Sequence, residues 1–560
     1  MTLSPRRPLL SVETLILLSV AWLLATANGP FWRAALAGRD LAAPATWGFA
    51  AALAGLLGGL SFAALALVSA RWSVRPLLAA LLVASAGAAW YMDRYAIYVD
   101  RAMVRNVLAT HVGEARELLS WRMAAHVAVF GLLPAAALWW PRLAPRTWRQ
   151  AAAWRGASVA LALLLAVAAI LPVFADFASL MRNRKEVRHL ATPGNLVAAL
   201  AGNAWGRTPR TAAARIPVGA DAQLAESWGQ RRRPLLFVLV VGETARAQNF
   251  GLNGYARDTT PELAARGVVN FPDAWACGTS TEVSLPCMFS PFGRRRYDED
   301  RILSHESLLH VLARAGLQVQ WRDNQSGCKG VCQGLPEARL DHAGVEGLCP
   351  EGQCLDEILV HGMDRVLADA KGNLFVVLHQ LGNHGPAYYR RYPAAFRRFT
   401  PACESDDLRL CSPAEIRNAY DNALLYTDHV LGRVIDFLRA RQDRWDTAML
   451  YLSDHGESLG ESGLYLHGVP HRVAPEVQLR VPMVAWMSPG FRASFGVDEG
   501  CLRRVAATRR TGHDDLFHSV LGLLDVRTAA YEREQDLFAP CRPVPGGAGA
   551  PPVSRPERAL

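Results

Sequence analysis

Three consecutive hydroxyl side chains lie between two cysteines in the segment W-A-C-G-T-S-T-E-V-S-L-P-C-M-F, residues 275–289. The hydroxyls are Thr279, Ser280 and Thr281, and a disulfide between Cys277 and Cys287 would close the segment into a strand-to-helix turn. At such a turn, free backbone N–H groups and the helix dipole favour an anionic ligand. The segment alone also fits a disulfide-bonded surface loop with capping residues, and it does not select one hydroxyl.

Carboxylates and imidazoles follow the apolar runs that we predict to be buried strands. Leu235–Val241 leads into V-G-E-T with Glu243, and Thr447–Leu452 leads into S-D-H-G-E-S with Asp454 and His455. A third run, Leu374–Leu378, precedes H-Q-L-G-N-H-G-P, and three further histidines follow these strands: His379, His384 and His467.

This mixture of side chains predicts a metal site. A single Asp at a strand end often caps a helix, and a single His is often structural. Several such groups at one sheet edge would repel one another or cost desolvation energy, whereas together they form the ligand set of zinc, and less typically of manganese. Because metal binding lowers the pKa of a hydroxyl, and Lys329 could contact phosphate oxygens, the chemistry indicated is metal-assisted phosphoryl-type transfer through a covalent threonine intermediate.

Alternating strands and helices predict the α/β domain that would position these groups. Helical patterns at Ser304–Ala315, Asp356–Ala370 and Pro413–Arg441 separate the apolar runs. Such alternation is typical of a largely parallel sheet, which binds ligands at the carboxyl ends of its strands. We assign residues 235–541 to this domain, and the Pro-, Gly- and Arg-rich residues 542–560 to a disordered tail.

The first 176 residues form a predicted membrane domain. They are rich in Ala, Leu, Val and Trp and lack a convincing signal-peptide cleavage site. Five apolar stretches come near the ~20 residues that cross a bilayer: Val12–Gly29, Trp47–Ala70, Leu77–Tyr91, Met123–Trp140 and Ala157–Phe174.

Arginines between the spans predict the orientation of the chain. They cluster in alternate loops, which the positive-inside rule places in the cytoplasm. An odd number of spans then puts residues 177–234, a connector and linker, and the α/β domain on the outer side. The net charge of +10, from 60 basic and 50 acidic residues, fits this topology and anionic head groups better than a nucleic-acid partner.

All ten cysteines lie between Cys277 and Cys541, on the predicted outer side. Zinc knuckles do not fit, because paired C-x₂-C units with histidine partners are missing. Five disulfides are therefore expected in an oxidising compartment, the first four from proximity and the last by elimination: Cys277–Cys287, Cys328–Cys332, Cys349–Cys354, Cys403–Cys411 and Cys501–Cys541.

The outer-side loop Asp93–Trp121 carries Asn106, Thr110 and Glu114 at helical i, i+4 and i+8 spacing. On spacing alone we interpret it as an amphipathic interfacial helix with a polar upper side.

Several motifs together resemble the phosphoethanolamine transferases that modify lipid A, which belong to the alkaline phosphatase/sulfatase superfamily and include the mobilised colistin-resistance enzymes. The motifs are V-G-E-T, C-G-T-S-T-x-V-S-x-P-C-M-F-S, S-G-C-K-G-V-C, H-Q-x-G-N-H-G-P-x-Y-Y and S-D-H-G-E-S-L-G-E-x-G-x-Y-L-H-G. The resemblance covers nearly the whole chain, including the membrane helices, although S-D-H-G alone marks only the superfamily.

The resemblance implies roles for individual residues. Thr281 would be the nucleophile, and Glu243, Asp454 and His455 would bind one zinc ion together with its oxygen. His384 and His467 would hold the substrate phosphate or a second zinc ion. The remaining substrate-binding residues would be Ser326 and Lys329 beside the phosphate, and Asn106, Thr110 and Glu114 at the ethanolamine end of the donor.

The resemblance further implies a ping-pong reaction in the bacterial inner membrane, catalysed by a multi-pass, monomeric protein with its catalytic domain in the periplasm. Phosphatidylethanolamine would donate phosphoethanolamine to Thr281, and a lipid A or lipopolysaccharide phosphate would accept it. The modified outer membrane would attract polymyxin-like cationic peptides less strongly.

One residue departs from the expected pattern, since Glu282 follows the proposed nucleophile where we expect a small residue. The motifs also leave open a transferase for core sugars or another periplasmic glycan. A phosphodiesterase or sulfatase fits less well, because sulfatases need a Cys- or Ser-derived formylglycine. A non-catalytic envelope protein also fits poorly, because it would not need this complete set of metal ligands.

Overall fold

The computed structural model describes residues 7–109, 118–205 and 215–543. An N-terminal group of apolar helices precedes an α/β domain, as the sequence predicts. The helices of the first part are Val12–Thr26, Gly29–Leu36, Pro44–Val68, Val74–Tyr95, Arg101–Ala109, Trp121–Val127, Leu133–Ala137, Trp148–Ile170, Phe174–Asn183 and Gly194–Trp205.

Capping residues mark the starts of these apolar helices, and exposed leucines mark their lipid-facing sides. The Ser11 hydroxyl accepts a hydrogen bond from Thr14 N at the start of the first helix, and Thr147 forms a capping box with Gln150. Leu67 and Leu164 are exposed, as expected of side chains that face lipid rather than water.

Small residues bring two of these helices into close contact. A Cβ at Gly59 would lie 2.8 Å from the Ala162 carbonyl oxygen and 2.8 Å from Ala166 Cβ. Only glycine therefore lets Pro44–Val68 approach Trp148–Ile170 at this point, which is the usual way that membrane helices pack.

The number of membrane spans stays a prediction. Among the described residues, three helices are long and apolar enough to cross a bilayer: Pro44–Val68, Val74–Tyr95 and Trp148–Arg182. A fourth is counted if Val12–Thr26 and Gly29–Leu36, which meet at 62°, form one bent span. The predicted fourth span corresponds to the shorter helix Trp121–Ala137, which contains a π-helical stretch, so five spans are not confirmed.

An eight-stranded, mostly parallel sheet forms the centre of the second part. In chain order its strands are β1 Leu235–Gly242, β2 Val269–Trp275, β3 Gln318–Asp323, β4 Glu337–Arg339, β5 Leu374–His379, β6 Asp446–Ser453, β7 Arg480–Met487 and β8 Thr511–Gly512. Their order in the sheet is β8-β2-β7-β6-β1-β5-β3-β4. Only β7 runs antiparallel to its neighbours, β6 and β2.

The central strands are buried on both faces, which explains their unbroken apolar sequences. Every residue of β1, β5 and β6 is buried, and a hydrophobic cluster covers each side of the sheet. The three predicted strands are confirmed to within a residue at each end. β1 lies between β5 and β6 and is parallel to both, so the carboxyl ends of all three strands meet.

The helices of this domain are Pro261–Ala265, Thr281–Met288, Glu299–Ser304, Leu308–Arg314, Met363–Ala368, Pro413–Arg439, Glu476–Leu479, Pro489–Phe495, Glu499–Thr508 and His513–Leu523. The predicted helix at Asp356–Ala370 is two pieces, a 3₁₀ turn at Asp356–Leu359 and the helix Met363–Ala368, because Gly362 between them adopts a positive φ. All five predicted disulfides are confirmed, including Cys501–Cys541. The predicted domain boundaries stay predictions, and residues 544–560 of the tail lie outside the described residues.

Candidate active site at the sheet edge

A short helix, Thr281–Met288, begins directly after the cysteine-bracketed hydroxyls. Ser280 is its N-cap residue, Thr281 is its first residue, and Cys277–Cys287 joins the turn to the end of the helix. The sequence therefore folds into the strand-to-helix turn that it predicts, with the hydroxyl of Thr281 at the helix N-terminus.

The three hydroxyls have different surroundings, which the sequence could not distinguish. Thr279 Oγ1 donates a hydrogen bond to the Val469 carbonyl oxygen at 2.7 Å. Thr281 Oγ1 instead lies 3.1 Å from Glu243 Oε2 and 3.4 Å from His455 Nε2. Of these two threonines, only Thr281 therefore directs its hydroxyl at the strand-end side chains.

Glu243, Asp454 and His455 form a buried cluster at the ends of β1 and β6. One ligand atom from each lies within 4.8 Å of the other two. His455 Nε2 is 3.3 Å from Glu243 Oε1 and 3.3 Å from Asp454 Oδ2. All three side chains are inaccessible to solvent.

The hydrogen bonds around this cluster leave its ligand atoms suited to a metal ion. Asp454 Oδ1 accepts hydrogen bonds from Thr244 N and His455 N, at 3.2 and 2.7 Å, whereas the buried Asp454 Oδ2 has no hydrogen-bond partner among the described residues. His455 Nδ1 lies 2.9 Å from the Gly456 carbonyl oxygen. Since a carbonyl only accepts, Nδ1 carries the proton and Nε2 presents its lone pair to the carboxylates. These two carboxylates, one imidazole and one hydroxyl fit a zinc ion.

Close backbone packing fixes the position of Glu243. Gly382, after β5, has a φ of 55°, and a Cβ there would lie 2.6 Å from the Glu243 carbonyl oxygen. That oxygen accepts a hydrogen bond from Asn383 N at 3.0 Å. The G-N-H-G-P segment after β5 therefore supports the cluster through its backbone.

Two of the predicted phosphate-binding histidines lie beside the cluster. The ring centroids of His467 and His455 are 4.4 Å apart, and those of His384 and His467 are 5.4 Å apart. His467 Nδ1 is 2.9 Å from Glu457 Oε2, and Glu457 Oε1 accepts the Tyr388 hydroxyl at 2.9 Å. Burial, reinforced by His467, lowers the pKa of His384 well below its usual value, which keeps this imidazole neutral.

A cavity of 240 Å³ connects the nucleophile to the membrane-side helices. We call it the tyrosine cavity, because Tyr91 and Tyr95 line it together with Ile97, Val107, Leu118 and Leu119. Six predicted site residues meet there: Asn106, Thr281, Ser326, Lys329, His384 and His467. Thr110 and Glu114, the other two residues of the predicted polar face, lie outside the described residues.

Glu282 faces Lys329 rather than bulk solvent. Its Oε2 atom is 3.9 Å from Lys329 Nζ, and the Glu282 side chain is 23% exposed. Because the two charges attract at this distance, the Glu282 carboxylate partly offsets the positive charge of Lys329, a predicted phosphate-binding residue.

Sequence reasoning missed several residues that support the site. His513 accepts a hydrogen bond from Cys277 N at 3.0 Å on Nδ1 and donates from Nε2 to the Ser453 carbonyl oxygen at 2.9 Å. It thereby joins the turn to the end of β6. No local pattern indicates this role, whereas Glu457 could have been found from its place in S-D-H-G-E-S.

His379, which follows β5, is paired with Asp323 instead of joining the cluster. Its Nδ1 atom lies 2.8 Å from Asp323 Oδ2 at the end of β3. Burial disfavours both charged forms, but the attraction and the hydrogen bond between the two groups outweigh it. The pKa of His379 therefore rises, and the pKa of Asp323 falls to about 2.

Comparison with known proteins gives matches along both parts of the chain. A family model described as Sulfatase matches residues 236–526, and one described as Phosphoethanolamine transferase EptA/EptB matches residues 57–206. Phosphoethanolamine transferase EptA of Escherichia coli (strain K12) is 38% identical over 484 residues, 86% of this chain and 88% of that protein.

Two further matches agree with these. Phosphatidylethanolamine transferase Mcr-1 of Escherichia coli is 36% identical over 493 residues, 86% of this chain and 89% of that protein. The solved structure of the integral membrane protein lipooligosaccharide phosphoethanolamine transferase A from Neisseria meningitidis matches with a TM-score of 0.91 at 36% identity, covering 96% of this chain and 99% of that one. The likeness therefore extends over the apolar helices as well as the sheet.

Proposed function

Since this chain belongs to the phosphoethanolamine transferases of the alkaline phosphatase/sulfatase superfamily, we propose that it transfers phosphoethanolamine from phosphatidylethanolamine to a phosphate group of lipid A. The observation that carries the proposal is the Thr281 hydroxyl, which lies 3.1 Å from Glu243 Oε2 and also lines a cavity walled by membrane-side tyrosines and leucines. A hydrophilic phosphatase would not need such an apolar wall beside its nucleophile, whereas a phospholipid donor does.

In the first half of the reaction, Thr281 Oγ1 attacks the phosphorus of phosphatidylethanolamine. A P–O bond to Thr281 forms, the P–O bond to the glycerol breaks, and diacylglycerol leaves with a proton. Glu243 accepts the Thr281 hydrogen bond and so directs an oxygen lone pair at the phosphorus. A zinc ion bound by Glu243, Asp454, His455 and Thr281 would lower the pKa of the hydroxyl and offset charge on the phosphoryl oxygens.

Residues around the tyrosine cavity orient the donor. His467, held by Glu457 through Nδ1, lies beside the phosphoryl group, and Lys329 balances the charge of the phosphate. Ser326 also contacts the phosphate, and Asn106 lies toward the ethanolamine end. The zwitterionic product masks an anionic phosphate, so that cationic peptides such as polymyxins bind the outer membrane less strongly.

The proposed location is the bacterial inner membrane, with the α/β domain in the periplasm. Five disulfides support an oxidising compartment for this domain. The predicted division into a membrane domain, residues 1–176, a connector, 177–234, and a catalytic domain, 235–541, is part of the same proposal.

Mass spectrometry of cellular lipopolysaccharide tests the proposal. Cells that produce the protein should carry phosphoethanolamine on lipid A, and cells producing Thr281→Ala should not. Thr281→Ser, which keeps a hydroxyl, should retain part of the activity at equal protein level. Unchanged lipid A with phosphoethanolamine on the core sugars would contradict the choice of acceptor, and full activity in Thr281→Ala would contradict the mechanism.

A further inference from the structure

A second and larger cavity lies next to the nucleophile turn. It measures 640 Å³, and five arginines line it: Arg101, Arg105, Arg188, Arg294 and Arg472. We call it the arginine cavity. Asp100 and Glu299 are the carboxylates in its lining, so that its charge is strongly positive.

The arginine cavity and the tyrosine cavity adjoin the same short helix. Met103 and Asn106, on the helix Arg101–Ala109, line both cavities. Gly278, Thr279 and Ser280 line the arginine cavity, whereas the next residue, Thr281, lines the tyrosine cavity. The nucleophile turn therefore borders both a cavity rich in arginines and a cavity walled by tyrosines and leucines.

The segment that carries Arg472 is attached to the nucleophile turn. Gly468 N donates a hydrogen bond to the Thr279 carbonyl oxygen at 2.7 Å, and Thr279 Oγ1 donates to the Val469 carbonyl oxygen at 2.7 Å. Arg472 follows three residues later and is exposed to the cavity. The backbone that leads to Arg472 is thus attached to the turn three residues before this arginine.

The guanidinium groups repel one another in pairs. Burial is the main cause that lowers the pKa of both Arg105 and Arg294, and Arg101 and Arg472 respectively add to the effect. Arg105 is ion-paired with Glu299, yet its buried Nε atom has no hydrogen-bond partner among the described residues. An anion with several acceptor oxygens would relieve this repulsion and satisfy that donor.

We propose that the arginine cavity binds the phosphate monoester of the acceptor glycolipid and delivers it to the nucleophile turn. The inference rests on the proposed function and adds the acceptor site to it. The donor, a zwitterionic lipid, fits the apolar tyrosine cavity, whereas a dianionic phosphate monoester fits a cluster of arginines.

The second half of the reaction then starts from this cavity. An oxygen of the acceptor phosphate attacks the phosphorus of the phosphoethanolamine on Thr281. A P–O–P linkage forms, the P–O bond to Thr281 breaks, and Thr281 Oγ1 takes up a proton from solvent water, since a dianionic acceptor has none to give. Both phosphates carry negative charge, so the arginines lower the repulsion between them.

The test separates the two half-reactions in the full-length, detergent-solubilised protein. Phosphatidylethanolamine alone is used to load Thr281, and peptide mass spectrometry measures the phosphoethanolamine adduct. Bisphosphorylated lipid A is then added, and the loss of the adduct is followed over time. Arg472→Ala and Arg105→Gln are compared with Arg444→Ala, an exposed arginine just before the amino end of β6, at the opposite end of this strand from Asp454.

We expect all three variants to load Thr281 at the wild-type rate. The lipid A concentration for half-maximal unloading should rise about tenfold in Arg472→Ala and Arg105→Gln, as for loss of one charge-assisted hydrogen bond, and should not change in Arg444→Ala. Dephosphorylated lipid A should not unload the enzyme.

Three results would overturn the assignment. The first is that both cavity variants unload Thr281 like the wild type. The second is that the variants lose loading and unloading equally. The third is that phosphatidylglycerol, whose phosphodiester lacks the second charge, competes as well as lipid A does for the loaded enzyme. If wild-type Thr281 is never loaded, the proposed function fails instead, and this outcome is visible before lipid A is added.

Discussion

The two sides of the nucleophile differ in how they are built. On the sheet side, Glu243, Asp454 and His455 are completely buried, and backbone N–H and carbonyl groups fix two of the three side chains. On the membrane side, two cavities lie between the helix Arg101–Ala109 and loops of the α/β domain. The chemistry is thus placed on rigid strand ends, whereas substrate contacts are placed where two parts of the chain meet.

This difference indicates that the sheet side carries out the chemical step and the membrane side recognises the lipids. Rigid strand ends suit groups that must keep a geometry to within a fraction of an ångström, and loops and helix faces suit recognition of large, variable lipids. Changes on the sheet side should therefore reduce the chemical step, and changes on the membrane side should mainly alter the concentration of lipid required.

The largest effect is expected from Asp454→Asn. The substitution removes a charged oxygen that has no other hydrogen-bond partner among the described residues, and it should abolish zinc binding. Transfer should fall by about a thousandfold or more, since a metal supplies several kcal/mol of transition-state stabilisation. Elemental analysis and the rate of lipid A modification, measured on the same preparation, check both parts. Wild-type zinc content with wild-type activity would contradict the ligand set.

A smaller loss is expected from Glu457→Gln. Glu457 accepts from His467 and from Tyr388 but is not in the three-residue cluster. Transfer should fall about ten- to a hundredfold, the usual effect of losing an orienting partner, while zinc content stays at the wild-type level. Loss of zinc equal to that in Asp454→Asn would instead place Glu457 among the zinc ligands.

The buried Asp323–His379 pair predicts a pH-dependent stability on the sheet side. The pKa of Asp323 in the folded protein is about 2, below its ordinary value of 3.8, so the carboxylate stabilises the fold above pH 3.8 and this stabilisation is lost as the pH falls toward 2. Once the carboxylate is fully ionised the contribution is on the order of 2 kcal/mol, and roughly half of it remains at pH 3.

Thermal unfolding of the wild type and Asp323→Asn at several pH values measures this contribution. The difference in melting temperature should be larger at pH 5 than at pH 3. A difference that is constant over this range would mean that the Asp323 charge does not stabilise the fold.

The smallest effect is expected from an exposed ion pair beside the membrane-side helices. Arg409 Nη1 lies 3.8 Å from Asp93 Oδ2, and both side chains are largely exposed. Because solvent screens such a pair, Arg409→Ala should change stability by less than about 1 kcal/mol, and it should leave the half-maximal lipid concentration unchanged. A large rise in that concentration would show that recognition extends beyond the two cavities.

The sequence predicted the sheet side better than the membrane side, for a physical reason. Unbroken apolar runs such as Leu235–Val241 mark buried strands, and in a parallel sheet the residues that follow them must meet. Glu243, Asp454 and His455 could therefore be grouped without coordinates. The choice of Thr281 over Thr279 needed either the resemblance or the structure, because all three hydroxyls share the same local pattern.

The remaining features depend on contacts between distant segments. His513 reaches Cys277 across 236 positions, and no period or motif near it indicates that contact. The arginine cavity likewise combines residues from Arg101 to Arg472, which only the folded chain brings together. The number of membrane spans depends on a further property, because hydropathy gives the length and composition of a helix but not whether a short or bent helix crosses the bilayer.

Peptide mapping of the full-length protein after incubation with phosphatidylethanolamine, without any acceptor, tests the central claim most directly. We expect a mass increment of one phosphoethanolamine group on Thr281, an equimolar release of diacylglycerol, and no adduct in Thr281→Ala. An adduct on Thr279, Ser280 or another residue, or acceptor modification in Thr281→Ala, would contradict it.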